Sequence, residues 1–201
     1  PDDWGSQTDV TTIIQTAAAF KDDARLYELY HEASHAWHVM SADAQPPRWE
    51  EGLACFLQYL AVEELEDRPI LDETLARIVD YLQDVYAEHP GYAAVPMAAC
   101  GETDLSDLSY TVGRIFFAVV YEIVGAEEFN RTVGSFYRAY HESGATVEDF
   151  TRHLQQTTTA DLEALINEWF YGATYADHIL RGRTIAEIAA IYPAGGQRRS
   201  D

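Results

Sequence analysis

The stretch HEASHAWHV, residues 31–39, holds three of the chain's seven histidines, and the rest of the sequence is read outward from it. His31 and His35 are four apart, so on a helix both imidazoles leave one face about a turn apart, a spacing from which both can bind one metal ion. Glu32 then points to the side of the pair, where a carboxylate reaches an activated water without being a ligand. That is the logic of H-E-x-x-H. A histidine pair on a helix is also compatible with partly exposed surface, so the metal reading needs a third ligand.

The flanks make this stretch helical. Leu26, Leu29, Tyr30, Ala33, Ala36, Trp37 and Met40 recur at helical spacing, which predicts an amphipathic helix over about 23–40. Trp37 reads most simply as core packing that fixes this helix. Pro46 and Pro47 break the chain, and the next helix opens near Trp49 to Glu51 and runs to about Glu64. Two antiparallel helices on so short a link bring the Glu51 carboxylate back over the histidine face, which supplies the third ligand. Glu50 and Glu51 are equally at home as first-turn acids favoured by the helix dipole. His38 would close the open coordination position as a fourth ligand, so it is placed beside the site or at the surface.

Helical periodicity continues elsewhere. Val10, Ile13, Ile14, Ala17 and Ala18 predict a helix before the histidine stretch. Leu75, Ile78, Val79, Leu82 and Val85 predict another, ended by His89-Pro90-Gly91. Residues 90–107 form the longest irregular piece, and at that length a functional or packed loop is expected. From Leu108 a helix runs to Gly125 and another spans about 127–141. Thr146 with Asp149 predicts a capped start for the next, and Asp161 to Phe170 makes one more. A short piece lies around Ile185 to Ile191, and AGGQRRSD reads as a frayed end. With no strand-like alternation and no internal repeat, the fold class is mainly α.

The 201 residues suit one domain, 1–201, with helices carrying the histidine site at 23–64, a helical C-terminal part at 108–172 and a frayed tail at 193–201. Acidic residues number 34 against 13 basic ones, and a net charge of -21 argues against a nucleic-acid partner. A lysine-poor acidic surface also suits a protein that works in high salt. No stretch approaches the roughly 18 uncharged apolar residues of a membrane span. Cys55 lies in an apolar run and Cys100 in the loop, and a disulfide and two unrelated thiols remain equal alternatives. The chain opens on Pro1, so no targeting signal can be read and the compartment is unknown.

HEASHAW, then RWEEGLACFLQY, then SYTVGRIFFAVVYEIVGAEEF resemble, in order, the signatures of the gluzincin metallopeptidases, and above all of the aminopeptidase N family: H-E-x-x-H-x-W, W-x-x-E-G-x-A, and Y-x-x-G before an amphipathic helix. The resemblance covers about residues 24–175. It implies a multi-helix, thermolysin-like catalytic domain with little or no β-sheet. It also implies one zinc ion per chain held by His31, His35 and Glu51, with Glu32 as general base and Tyr110 as the tyrosine that stabilises the oxyanion. The substrate implied is a peptide or protein. Three departures stand out. Fifteen residues separate His35 from Glu51, fewer than the family's usual spacing, Trp49 sits one position nearer the glutamate than the pattern expects, and no G-x-M-E-N motif for a free amino terminus occurs in the opening 20 residues. Endopeptidase and aminopeptidase activity therefore stay open. Gluzincins pair this helical part with an upstream β-rich subdomain, so either this is a minimal catalytic domain or an additional upstream domain supplies the other wall of the cleft. The alternatives are a non-catalytic interaction domain on the same fold, or a metal-dependent hydrolase with a non-peptide substrate.

Overall fold

A computed structural model of the chain describes residues 6–9, 12–15, 17–21, 26–43, 49–100 and 106–192. Among them the architecture is mainly α, as the periodicity implies. The opening segment differs from expectation. Strands β1 (Gln7–Asp9) and β2 (Thr12–Ile14) form an antiparallel hairpin that pairs Thr8 with Ile13, and a 3-10 turn follows at Ala17–Phe20. The helix expected through Ile13, Ile14 and Ala17 is absent there, and Val10 lies outside the described residues. Thr12, Ile13 and Ile14 are all β-branched and favour extended backbone, which outweighs a short apolar spacing.

The remaining helices are α1 (Leu26–Ser34), α2 (Trp49–Glu66), α3 (Leu71–Glu88), α4 (Ser106–Val124), α5 (Ala126–Tyr140), α6 (Val147–Thr157), α7 (Glu163–Ile166), α8 (Ala176–Leu180) and α9 (Ile185–Ala189). Helix α4 is the spine. Val112, Ile115, Phe116 and Val119 are all fully buried, and α4 packs along α2, α5 and α9. Leu75, Ile78, Val79 and Leu82 of α3 close another side of the core.

The capped start expected at Thr146 is present: its hydroxyl accepts from the Asp149 N–H at 3.1 Å, and the Asp149 carboxylate accepts from the Thr146 N–H at 3.1 Å. A second such box, Thr184 with Glu187, starts α9. Helix α7 passes into a π-helical turn at Asn167–Tyr171, and α8 follows where no helix was expected. The long segment after α3 is a packed loop with 3-10 turns at Pro90–Ala94 and Met97–Ala99. Met97 and Cys100 are buried in it, and the Tyr175 hydroxyl donates to the Val95 carbonyl at 2.6 Å. Both cysteines are free and buried, which leaves two unrelated thiols. No helix among the described residues is long and apolar enough to cross a membrane. The Pro46-Pro47 break and the tail at 193–201 lie outside the described residues.

Residues 23–25 of the helix expected over 23–40 lie outside the described residues, and α1 ends earlier than expected, at Ser34. It gives way to a 3-10 turn at His35–Trp37, and residues 38–43 leave as extended chain. That chain is tied to the α5–α6 connection: Ala42 N–H donates to the Ala145 carbonyl, Ala145 N–H to the Met40 carbonyl, both at 2.9 Å, and Val147 N–H to the Asp43 carboxylate. Gly144 is required at this junction. Its φ is +76°, and a Cβ there would meet the Met40 carbonyl oxygen at 2.9 Å.

An amphipathic helix ordinarily turns its apolar stripe to the core, and α1 does the reverse. Leu26, Leu29, Ala33 and Ala36 are exposed, as are Trp37 and Met40, while Glu32 is buried and His31 and His35 face inward. Trp37 is therefore not core packing. At 47% exposure it touches Tyr137 of α5 edge-on, with ring centroids 5.6 Å apart.

Candidate metal centre

The inward face of α1 meets the first turn of α2. Trp49 anchors that turn, buried and stacked on Phe150 with ring centroids 4.0 Å apart, and Glu51 follows two residues later. His35 Nε2 lies 3.2 Å from His31 Nε2, and Glu51 Oε2 lies 3.5 Å from His31 Nε2 and 3.4 Å from His35 Nε2. Three ligands held at about 2.0–2.1 Å around one zinc ion at tetrahedral angles stand about 3.3 Å apart. The three atoms thus form the near-equilateral triangle that such an ion spans. Two imidazole nitrogens and one carboxylate oxygen are also the donor set of a catalytic zinc site, in which a fourth position stays open. Among the described residues this is the one cluster of side chains able to hold a metal ion.

Two glycines explain why α2 and α4 come close enough to complete the site. A Cβ on Gly52 would stand 2.5 Å from the Gly113 Cα and 2.9 Å from the Ser109 carbonyl oxygen, so backbone meets backbone at this crossing. Glu51 precedes one glycine directly. Tyr110 precedes the other by three residues, almost one turn, and its ring lies parallel to that of His31, 23° apart in tilt with centroids at 6.2 Å. The E-G and Y-x-x-G spacings are thus two halves of one contact. Arg114 braces it: Nε donates to the Tyr110 carbonyl at 2.6 Å and Nη1 to the Tyr59 hydroxyl of α2 at 2.5 Å.

Charge at the centre is set by its neighbours. Burial works against protonation of His31, but the Cys55 sulfur, 3.7 Å from its Nδ1, and the Glu51 carboxylate together outweigh burial and push its pKa up to about 10. A positive charge is therefore welcome between these groups, which suits a cation site. The Cys55 contact also occupies the ring nitrogen that faces away from the triangle, the position through which ligating histidines are oriented. His38 sits beside the triangle, half-buried, its ring 6.0 Å from that of His35. Burial lowers its pKa and His35 lowers it further, against the pull of Glu51.

Glu32 stands outside the ligand triangle. Its side chain is buried, and Oε2 accepts a hydrogen bond from the Thr8 hydroxyl of β1 at 2.7 Å. Sequence reasoning missed both Thr8 and Cys55. Each is 24 residues from the group it touches, on a separate element, and neither belongs to a spacing pattern.

Residues 14–169 match the family described as the Peptidase family M1 domain. Rice (Oryza sativa subsp. japonica) aminopeptidase M1-B is 26% identical over 147 residues, which cover 69% of this chain. The leucyl aminopeptidase of Saccharolobus solfataricus is 23% identical over 184 residues, 84% of this chain, and the glutamyl aminopeptidase of Mus musculus 22% over 160 residues, 76% of it. The chain spans only 17% to 23% of the length of these relatives. No solved structure matches it significantly. Because the family match takes in well over half of the 201 residues and contains every residue of the site described above except Thr8, the chain belongs to peptidase family M1.

Proposed function

We propose that the chain is a single catalytic unit of a zinc metallopeptidase that hydrolyses peptide bonds, with His31, His35 and Glu51 as the zinc ligands, Glu32 as general base and Tyr110 as oxyanion stabiliser. The observation that carries this reading is the triangle of ligand atoms with edges of 3.2, 3.4 and 3.5 Å. Zinc, when bound by one nitrogen of each histidine and one oxygen of Glu51, supplies Lewis acidity that polarises a carbonyl and makes water a nucleophile at neutral pH. Glu32 takes a proton from the attacking water, holds it on its carboxylate and passes it to the departing amine. The Tyr110 hydroxyl donates to the oxygen that gains charge in the tetrahedral intermediate, and loss of one such donor typically costs about 10² to 10³ in rate. Cys55 holds the His31 ring from behind.

The relatives named above are aminopeptidases, which favours peptides as the substrate class. Matched peptides with free and with blocked amino termini separate exopeptidase from endopeptidase action. The test begins with elemental analysis. About one zinc per chain is expected in the wild type, with sharp loss in His31→Ala and Glu51→Ala. Glu32→Gln is expected to keep the zinc and lose about 10² to 10⁴ in hydrolysis. A chain that takes up no zinc, or a Glu32→Gln variant as active as wild type, removes the reading.

A further inference from the structure

The general base of a peptidase has to be held still while it handles a proton, and the ligand triangle does nothing to hold Glu32. Glu32 is buried at 6% exposure, and among the described residues the Thr8 hydroxyl donates a hydrogen bond to its carboxylate. Thr8 Oγ1 lies 2.7 Å from Glu32 Oε2 and 2.9 Å from the carbonyl oxygen of the same residue. A hydroxyl has one hydrogen and two lone pairs, so it serves one of these acceptors at a time. Thr8 is not a loose surface residue. It is paired with Ile13 across the β1–β2 hairpin, and the hairpin packs on α1.

We propose that Thr8 is a positioning residue for Glu32: the hairpin delivers its hydroxyl to the carboxylate and fixes the direction in which Glu32 works. The proposal rests on the reading of Glu32 as general base. The second acceptor gives the contact a further use. While Glu32 is a carboxylate, Thr8 donates to Oε2 in a charge-assisted bond. When Oε2 carries the proton taken from water, the Thr8 oxygen accepts from it and turns its own hydrogen to the Glu32 carbonyl. The Thr8 proton never leaves its oxygen, and the proton on Glu32 is passed on to the amine. One hydroxyl thereby supports both halves of the cycle without moving the backbone. It also gives the hairpin, whose strands form no part of the helical core, a task at the site.

The test uses the 201-residue chain with Thr8→Val, which keeps the shape and removes the hydroxyl, and Thr8→Ser, which restores it. Zinc content and helical circular dichroism are read first and are expected to equal wild type in both, because Thr8 touches no ligand. With a peptide that the wild type cleaves, Thr8→Val is expected to lower kcat by about 10-fold to 100-fold, the scale on which a misplaced catalytic group acts, with KM little changed. Thr8→Ser is expected to recover most of that loss. Full kcat in Thr8→Val, or a Thr8→Ser variant as slow as Thr8→Val, overturns the proposal. Crystal structures of the same proteins without added metal give an arm free of turnover: the Glu32 carboxylate is expected to leave its position in Thr8→Val and keep it in Thr8→Ser, and an undisplaced carboxylate in Thr8→Val overturns the proposal as well. If the wild type cleaves no peptide, the peptidase reading fails by itself, and the position of the carboxylate still decides whether Thr8 holds it.

Discussion

Helices α1 and α4 carry apolar residues at the same period and use them in opposite ways. Helix α4 buries Val112, Ile115, Phe116 and Val119 completely, whereas α1 with the 3-10 turn and extended chain that follow it leaves Leu26, Leu29, Trp37 and Met40 exposed and turns His31, Glu32 and His35 inward. The spacing reports a helix in both cases. Which face goes inside depends on whether the polar face finds partners, because a buried polar group costs free energy unless it is paired. On α1 every inward group finds one: the histidines meet Glu51, His31 also meets Cys55, and Glu32 meets Thr8. The apolar stripe is then left at the surface, at a cost of about 25 cal/mol for each Å² that stays wet. The chain accepts a weaker packing of its first helix in exchange for the arrangement of its site.

The sharpest break of this comparison is a pair of tryptophans. Trp169 is fully buried and stacks on Tyr175 at 4.9 Å, whereas Trp37 is 47% exposed. Trp169→Ala is expected to cost about 3–5 kcal/mol in a denaturant melt. Trp37→Ala should cost less than about 1 kcal/mol, and similar losses at the two sites would show that the 3-10 turn ending α1 is packed like the core after all.

The crossing of α2 and α4 comes next. Gly52→Ala places a Cβ against Gly113 backbone at 2.5 Å, and overpacking of that kind costs about 1–3 kcal/mol. The same variant should retain zinc less well, since the shift carries Glu51 with it, and a variant with unchanged melting and unchanged zinc affinity would show that the helices slide apart freely.

A third measurement addresses the inward face of α1 by pH. His31, with its pKa pushed up to about 10, holds a proton through neutral pH that a zinc ion bound as proposed would have to displace. Affinity should therefore rise as pH rises, by about tenfold for each unit between about pH 6 and 9. A flat profile from competition titration would mean that the nitrogen facing the triangle is already free of its proton.

The smallest effect is a gain. Gly134 of α5 is buried, but a Cβ there would meet the far end of the Arg138 side chain at 3.4 Å and the Trp37 ring at an ordinary contact distance of 4.0 Å. Gly134→Ala is expected to add about 0.5–1 kcal/mol through helix propensity. A loss in the thermal melt would mean that Arg138 cannot yield.

Much of the helical framework was legible along the chain. The starts of α2, α3 and α6 follow from local signals, an acidic first turn in two and a capping box in the third, and these act within a few residues. The hairpin was not legible, because Ile13, Ile14 and Ala17 satisfy a helical spacing while the β-branched residues between Thr12 and Ile14 favour strand. Helix α8 is too short, at five residues, to show a period. Of the site, the H-E-x-x-H pair and the glutamate before Gly52 were visible as spacings, and the structure brings His31, His35 and Glu51 together as that spacing implies. Thr8 and Cys55 were invisible for the opposite reason, since no periodicity links residues on separate elements 24 positions apart.

The sequence by itself determined that most of this chain is helical, that two histidines share one helix face and that glycines stand at positions 52 and 113, because these properties depend on residue type and on spacings of a few residues. Only the tertiary structure decided that α1 turns its polar face inward, that the two glycines touch and bring Tyr110 beside His31, and that a hairpin reaches back to Glu32. Those outcomes depend on contacts between elements distant in sequence, where the balance between burying apolar area and pairing polar groups is struck for the whole molecule and not for any one segment.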